Sequence, residues 1–383
     1  MKNYIFFSFI LGLFIIAGCE QEPVAADVTL DLGRGEAAEM DGSMRFSLVL
    51  SEALSEDLTV SFAISEITAE EGTDYELPSI QQVVISAGST TGEIVVPIID
   101  DGEAEIEEAF LLEITNNANV RMMNNPTQAT ITSDDLLSIM DEGFTSPISY
   151  GQFTLVWEEN FEGPQLDPAT WNYETGFGIE GNSNNELQDY RRQNAYVQDG
   201  YLILDVRQEP NGSYTSARIN TDGKRTFQFG RIDIRAKLPE GKGIRPGLAM
   251  LGENFSSVGL PQSGALELGY LDGSEVAIAR SGAEWFQNGQ IETIVDTFNQ
   301  RTTTFTEEFH VYSIFWEPTQ ITWYVDGIKY NLLTTTPEEM DEFRQAFFFV
   351  LGASVGGDRL GEPDTSTRFP QRMIVDYIRV YQQ

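Results

Sequence analysis

The chain has 383 residues, 41% of them hydrophobic and 11% aromatic, with a formal net charge of −37. That composition supports packed cores and excludes a disordered chain. It also excludes nucleic acid as a partner, because such binding depends on cationic contacts to phosphate. The single Cys excludes an intrachain disulfide.

Met1-Lys2 is followed by an apolar run over residues 5–16 and then by Ala17-Gly18-Cys19. A short basic start, an apolar run below the ~20 residues of a spanning helix and small residues before a cleavage point predict a secretory signal over residues 1–18. Ile16-Ala17-Gly18-Cys19 resembles a bacterial lipobox, which implies lipidation of Cys19 and a tether over residues 19–27. Glu20-Gln21-Glu22 resembles the surface-export signal of Bacteroidetes lipoproteins, which implies a lipid-anchored protein at the cell surface of the outer membrane.

Residues 28–135 alternate apolar and polar positions in short runs, as in Met44-Arg45-Phe46-Ser47-Leu48-Val49-Leu50 and Leu58-Thr59-Val60-Ser61-Phe62-Ala63-Ile64. Turn-forming clusters separate the runs, which predicts a β-sandwich of roughly 100 residues. Gly72-Thr73-Asp74-Tyr75, Val84-Ile85-Ser86-Ala87-Gly88 and Ile99-Asp100-Asp101, followed by Glu107-Glu108-Ala109-Phe110, resemble a Calx-β domain, an immunoglobulin-type sandwich. The resemblance implies calcium at Asp74, Asp100, Asp101 and Glu108, whose hard oxygen ligands suit that ion. The same residues also read as solvated acidic loops on an acidic protein. The module is expected to act as a spacer. Residues 136–149, with Gly143, Ser146-Pro147 and no alternation, read as a linker.

Residues 150–383 carry strand signals at 153–157, 200–207, 230–238, 310–316, 320–325, 346–352 and 373–381. Val325-Asp326-Gly327-Ile328 sets Asp-Gly between apolar residues, a hairpin signature. Trp157, Trp171, Trp316 and Trp323 sit in or beside alternating runs and are assigned to the core. His310, the only histidine, lies in a Phe-His-Val-Tyr strand and receives no chemical role. Gly176-Phe177-Gly178 lacks a following helix and a Lys-Ser/Thr, which argues against a phosphate-binding loop.

Asn184-Asn185-Glu186-Leu187-Gln188, Phe229-Gly230-Arg231-Ile232-Asp233, Gly264-Ala265-Leu266-Glu267-Leu268-Gly269-Tyr270 and Val375-Asp376-Tyr377-Ile378-Arg379-Val380 occur in that order. Together they resemble glycoside hydrolase family 16, the laminarinase-like β-jelly rolls. The resemblance implies an all-β, concanavalin-like sandwich with a glycan cleft, and a structural calcium at Asp376 and the backbone near Gly200. It also implies a catalytic strand Glu-x-Asp-x-(x)-Glu carrying nucleophile, assisting Asp and acid/base. Strand positions i, i+2 and i+4 face one side, so the slots are read as Ala265, Glu267 and Gly269. A retaining mechanism needs two carboxylates ~5–5.5 Å apart. Ala265 and Gly269 supply none, which leaves Glu267 as a remnant in a cleft without its chemistry.

The family carries Trp where this chain has Arg245, Ala249, Leu260 and Arg359, and His where Arg280 falls. Aromatic faces stack on the apolar side of sugar rings, so a remodelled cleft is expected. Its glycan-binding candidates are Asn184, Arg231, Arg245, Glu267, Tyr270, Arg280, Trp285 and Arg359, although a core role is the commoner fate of an aromatic such as Trp285 or Tyr270. Guanidinium groups hydrogen-bond hydroxyls or pair with carboxylate or sulfate. The expectation is a non-catalytic, cell-surface glycan-binding lipoprotein that captures a polysaccharide for an outer-membrane importer complex. A β-1,3-glucan such as laminarin is the first ligand expected and an anionic glycan the second. Two other readings stay open: an active endo-β-glucanase using Glu267 and Asp272 in a shifted register, and a structural or adhesive surface protein.

Overall fold

Met44, Phe46, Leu48 and Leu50 alternate with solvent-facing residues along Ser43–Leu50, so a period of two turns one side of that strand to a core. A computed structural model gives the fold and describes residues 28–102, 107–116, 120–133, 135–181, 184–335 and 338–383. Cys19, the signal and the tether lie outside the described residues. Ser43–Leu50 pairs with Thr29–Leu32 and Thr91–Pro97 in one sheet; Leu58–Glu66, Glu108–Ile114 and Thr127–Thr132 build the facing one. Phe46, Phe62, Tyr75 and Phe110 fill the space between them. At ~25 cal/mol per Å² of apolar surface, each such ring contributes about 2–3 kcal/mol.

The larger sandwich has an outer sheet and a seven-stranded inner sheet. The inner order is Asn172–Tyr173, Arg218–Asn220, Phe347–Val355, Ile244–Gly252, Ala265–Tyr270, Ile278–Gln287 and Gln290–Asn299. Between the sheets lie Leu248, Leu266, Leu268, Phe347, Phe349 and three of the tryptophans expected in the core, Trp171, Trp316 and Trp323. Trp157 packs against that core, stacked on Phe349. The Val325–Ile328 pair closes over Asp326 (φ 51°) and Gly327 (φ 76°), the left-handed pair that a two-residue hairpin turn requires. A second such turn, Asn288 (φ 52°) and Gly289 (φ 82°), joins Ile278–Gln287 to Gln290–Asn299. The expected strand set has no counterpart for that hairpin.

The stretch read as a linker is bound to the outer sheet rather than free. Leu137 N donates to Gln198 Oε1 at 3.0 Å, and Gln198 Nε2 donates back to Leu137 O at 2.8 Å. Phe309 N donates to Glu142 O and Phe144 N to Phe309 O, both at 2.9 Å. Ser146 N donates to the Tyr377 hydroxyl at 2.8 Å. The segment lacks a period because it pairs through isolated bridges instead of a strand. An ion pair at 2.6 Å between Glu108 and Arg207 links the two sandwiches. No helix among the described residues is long and apolar enough to cross a membrane. Gln198→Ala removes both bonds to Leu137 and should cost about 1–2 kcal/mol in urea unfolding; an unchanged midpoint would show that the segment is not held there.

Candidate functional site

Register fixes which side chains stand together on the inner sheet. Val350, Ala249, Glu267, Gly282 and Val295 are successive cross-strand partners and make one row. Phe348, Leu251, Ala265, Glu284 and Thr293 make the row on one side. Gly352, Gly247, Tyr270, Arg280 and Thr297 make the row on the other. Side chains between the rows, such as Leu248, Met250 and Leu266, point into the core because the strands are pleated. The rows floor a groove of about 470 Å³, flanked by Glu180, Asn184, Arg245 and Arg359.

The central strand does not keep strict alternation. Leu248 pairs with Gly269 but Ala249 with Glu267, and the partner on the other side steps from Gly282 to Arg280 between Glu267 and Tyr270. An extra residue therefore bulges between Glu267 and Tyr270 and re-aims the side chains beyond it. Gly269 turns to the core, where an added Cβ would stand 2.3 Å from the Tyr312 ring. The groove-facing slots are thus Ala265, Glu267 and Tyr270, which corrects the reading of Gly269 as one of them. Neither flanking slot holds a carboxylate.

Arg245 Nη2 donates to Glu267 Oε1 at 2.8 Å, and its Cζ lies 4.2 Å from the Tyr270 ring centre. Trp323 Nε1 donates to the Glu267 carbonyl at 2.9 Å and anchors the strand from the core side. Glu267 Oε2 is buried and has no hydrogen-bond partner. Burial opposes the charge on Arg245, but the Glu267 carboxylate outweighs it and the guanidinium is held more firmly protonated than usual. Burial and then Glu267 push the Tyr270 phenol up. Burial also raises the Glu284 carboxyl; Arg359 opposes the rise, and Glu267 and Glu180 add to it.

Two aromatic and cationic candidates lie elsewhere. Trp285 is a core side chain, on the opposite face of its strand from Glu284 and edge-on to Phe343. Arg231 is on the outer sheet, 2.9 Å from Asp233 and stacked on Tyr150. Arg280 shares a row with Tyr270, but its guanidinium is held by Glu275. Asp272 Oδ1 closes a turn by accepting from Ser274 N and Oγ at 3.0 and 2.7 Å, and Asp272 does not line the groove with Glu267. Glu284 was not expected. The Asn288-Gly289 turn was the available signal, because counting back from it sets Glu284 on the face opposite Trp285.

Most arginines at the groove are already paired. Arg245 holds Glu267, and Arg218 holds Glu180 with Glu174 at 3.6 Å. Arg359 has no hydrogen-bond or ion-pair partner among the described residues. Buried and half-buried cations are thus matched by acids of the same chain, which weakens the case for a sulfate or carboxylate ligand.

Acidic groups in the first sandwich converge differently from expectation. Carboxylate atoms of Glu39, Asp100 and Asp135 lie within 4.8 Å of one another, and Asp135 Oδ2 is buried without a hydrogen-bond partner. Asp74 instead accepts from Glu70 N at 2.6 Å, Glu108 pairs with Arg207, and Asp101 is exposed outside the cluster. In the larger sandwich Asp376 Oδ2 accepts from Arg235 Nη1 at 2.7 Å, so an arginine takes one of its two oxygens. Gly200 folds at φ 83° beside the Asn160 carbonyl.

Residues 182–378 match the family described as Glycosyl hydrolases family 16, and residues 26–136 match the Calx-beta domain. The chain is 33% identical to the Glucan endo-1,3-beta-glucosidase A1 of Niallia circulans, over 70% of this chain and 43% of that protein. It is 34% identical to the Beta-glucanase of Rhodothermus marinus, over 59% of this chain and 84% of that protein. A Beta-1,3-glucan-binding protein of Penaeus monodon is 26% identical over 39% of this chain and 49% of its own length. Among solved structures, the laminarinase catalytic domain of Thermotoga maritima superposes with a TM-score of 0.55 at 39% identity, covering 60% of this chain and 98% of that one.

The bulge separates two substitutions that look alike in sequence. Gly269→Glu forces a charged side chain into the Tyr312 ring and should cost at least ~3 kcal/mol, whereas Tyr270→Glu, in the open groove, should melt within a few degrees of the parent. Equal melting temperatures in thermal denaturation would contradict the placement.

Proposed function

The chain belongs to glycosyl hydrolases family 16, and from that premise we propose that its groove captures a β-glucan chain without cutting it. The observation that carries this reading is the trio Ala265, Glu267 and Tyr270 on the groove side of the central strand, with Glu267 clamped by Arg245. Retaining cleavage needs a nucleophilic carboxylate and a second carboxyl to protonate the leaving oxygen. A methyl group and a phenol raised further from neutrality supply neither. A β-1,3-glucan such as laminarin is the ligand of choice, supported by the names of the relatives, one of which is a glucan-binding protein.

One observation favours a second reading, hydrolysis by Glu267 and Glu284. Glu284 stands across from Ala265, diagonal to Glu267, and burial shifts its carboxyl upward, the direction a general acid requires. Glu267 has one oxygen free of partners. Against it, the opposing oxygen is bound to Arg245, which makes the carboxylate a poor nucleophile.

The setting completes the proposal. Lipidation at Cys19 would anchor the chain on the outer membrane, the Calx-β module would raise the groove above the surface, and an importer complex would receive the captured glycan. Calcium is assigned to Glu39, Asp100 and Asp135, where the buried Oδ2 of Asp135, without a hydrogen-bond partner, fits a hard cation.

On laminarin affinity gels the protein should be retarded while reducing ends stay constant. Release that Glu284→Gln abolishes would establish the second reading, and neither retardation nor release would leave an adhesive role. Calcium at 100 times its Kd should stabilise the chain by about 2.7 kcal/mol, and Glu39→Gln should remove that gain; a calcium-independent melt would refute the assignment. Cys19→Ser should move the protein out of the membrane fraction, and an unchanged distribution would count against the anchor.

A further inference from the structure

The groove has two unlike halves. Around Tyr270 it is ionic and partnered. Around Ala265 it is aliphatic, where Leu251, Ala265 and Val350 form one apolar cluster with Leu260 packed against them and Ala249 in the adjoining row. Phe348 backs this cluster and Phe255 meets it edge-on, so its walls are fixed by buried packing. No flat aromatic face is offered there. A sugar ring's C–H face is served best by a broad ring; a recess of methyl groups instead suits a compact apolar substituent.

A second, separate feature lies at the rim of this recess. Glu284 is the direct cross-strand neighbour of Ala265 and lines the groove. Among the described residues its carboxyl has no hydrogen-bond or ion-pair partner, although it is half-buried. A half-buried carboxyl that lines the groove takes its donors from water, and a ligand N–H would stand in place of that water. An acetamido group combines the two requirements in one substituent, since its methyl is apolar and its N–H is a donor a few ångströms away.

Resting on the reading of this groove as a glycan site, we infer that it selects a 2-acetamido sugar, with the methyl in the recess at Ala265 and the amide N–H donated to Glu284. The preference belongs to the one subsite at Ala265 and Glu284, while the half of the groove around Tyr270 holds the neighbouring glucose units of the chain. One buried methyl and one hydrogen bond to a carboxyl oxygen correspond to a preference of about tenfold after ordering costs.

The test uses full-length protein with labelled alanine methyl groups, titrated by NMR with methyl β-N-acetylglucosaminide and methyl β-glucoside, which removes linkage as a variable. The expected result is shifts at Ala265 and Ala249 with about tenfold tighter binding of the acetamido sugar, reduced about threefold in Glu284→Ala, which removes the acceptor. Ala265→Leu, which fills the recess, should bring parity. Equal affinity for the two sugars in the parent protein, or a preference that survives Glu284→Ala unchanged, overturns the inference. Laminarihexaose is titrated alongside. If it binds while the two monosaccharides are not distinguished, the glycan groove stands and the acetamido assignment falls; if none of the three shifts any groove methyl, both fall.

Discussion

The layered contact of Arg245 between Glu267 and Tyr270 sets what this groove can do. It joins a charged hydrogen bond of 2.8 Å to a guanidinium stacked 4.2 Å above a phenol ring. At partial exposure such a pair is worth more than the ~1 kcal/mol of a surface ion pair and less than the ~3–5 kcal/mol lost when a buried pair is broken. The assembly fixes a planar cation at the centre of the floor and ties up one oxygen of the carboxylate that survives there. A centre organised this way offers hydrogen bonds and a flat face to a bound chain. In the proposed function it binds rather than attacks, with one carboxylate oxygen held by Arg245 and the other left to a sugar hydroxyl.

The same contact explains the unusual arginines. Taken singly, a cation in a sugar cleft suggests an anionic ligand. Taken with their partners, Arg245 and Arg218 are internal ion pairs, and the net acid content of the surrounding chain disfavours anions further. Charge in this groove therefore serves shape. Among the described residues, Arg359 at the rim, Glu267 Oε2 at the centre and Glu284 beside the apolar recess make no hydrogen bond within the protein, although Arg359 and Glu284 feel each other's charge.

Much of the architecture was legible in the sequence because period-two patterning and turn chemistry are local. Ser43–Leu50, Gln320–Val325 and the Asp326-Gly327 turn conform directly to those rules. Strict alternation failed at one place with large effect. A single bulged residue moves Tyr270 into the groove and Gly269 into the core, and Gly269, a glycine inside a strand pattern, was the signal for it. Face parity likewise decided Trp285 and Arg231: each is a plausible sugar ligand by type, and each proves to be on the wrong side of its strand or on the other sheet. Glu284 was recoverable from the Asn288-Gly289 turn. The 136–149 segment was not, since its bonds are made to distant strands and leave no period behind.

Family membership and the jelly-roll scaffold leave open whether a chain in the groove is held or cut, and that is decided by a few side chains on one strand. The most direct measurement is a crystal structure of the full chain grown with laminarihexaose and kept for weeks before data collection. An intact hexasaccharide lying across Arg245, Glu267 and Tyr270 is the predicted result. A shortened sugar, or one joined covalently to Glu267 or Glu284, would contradict it.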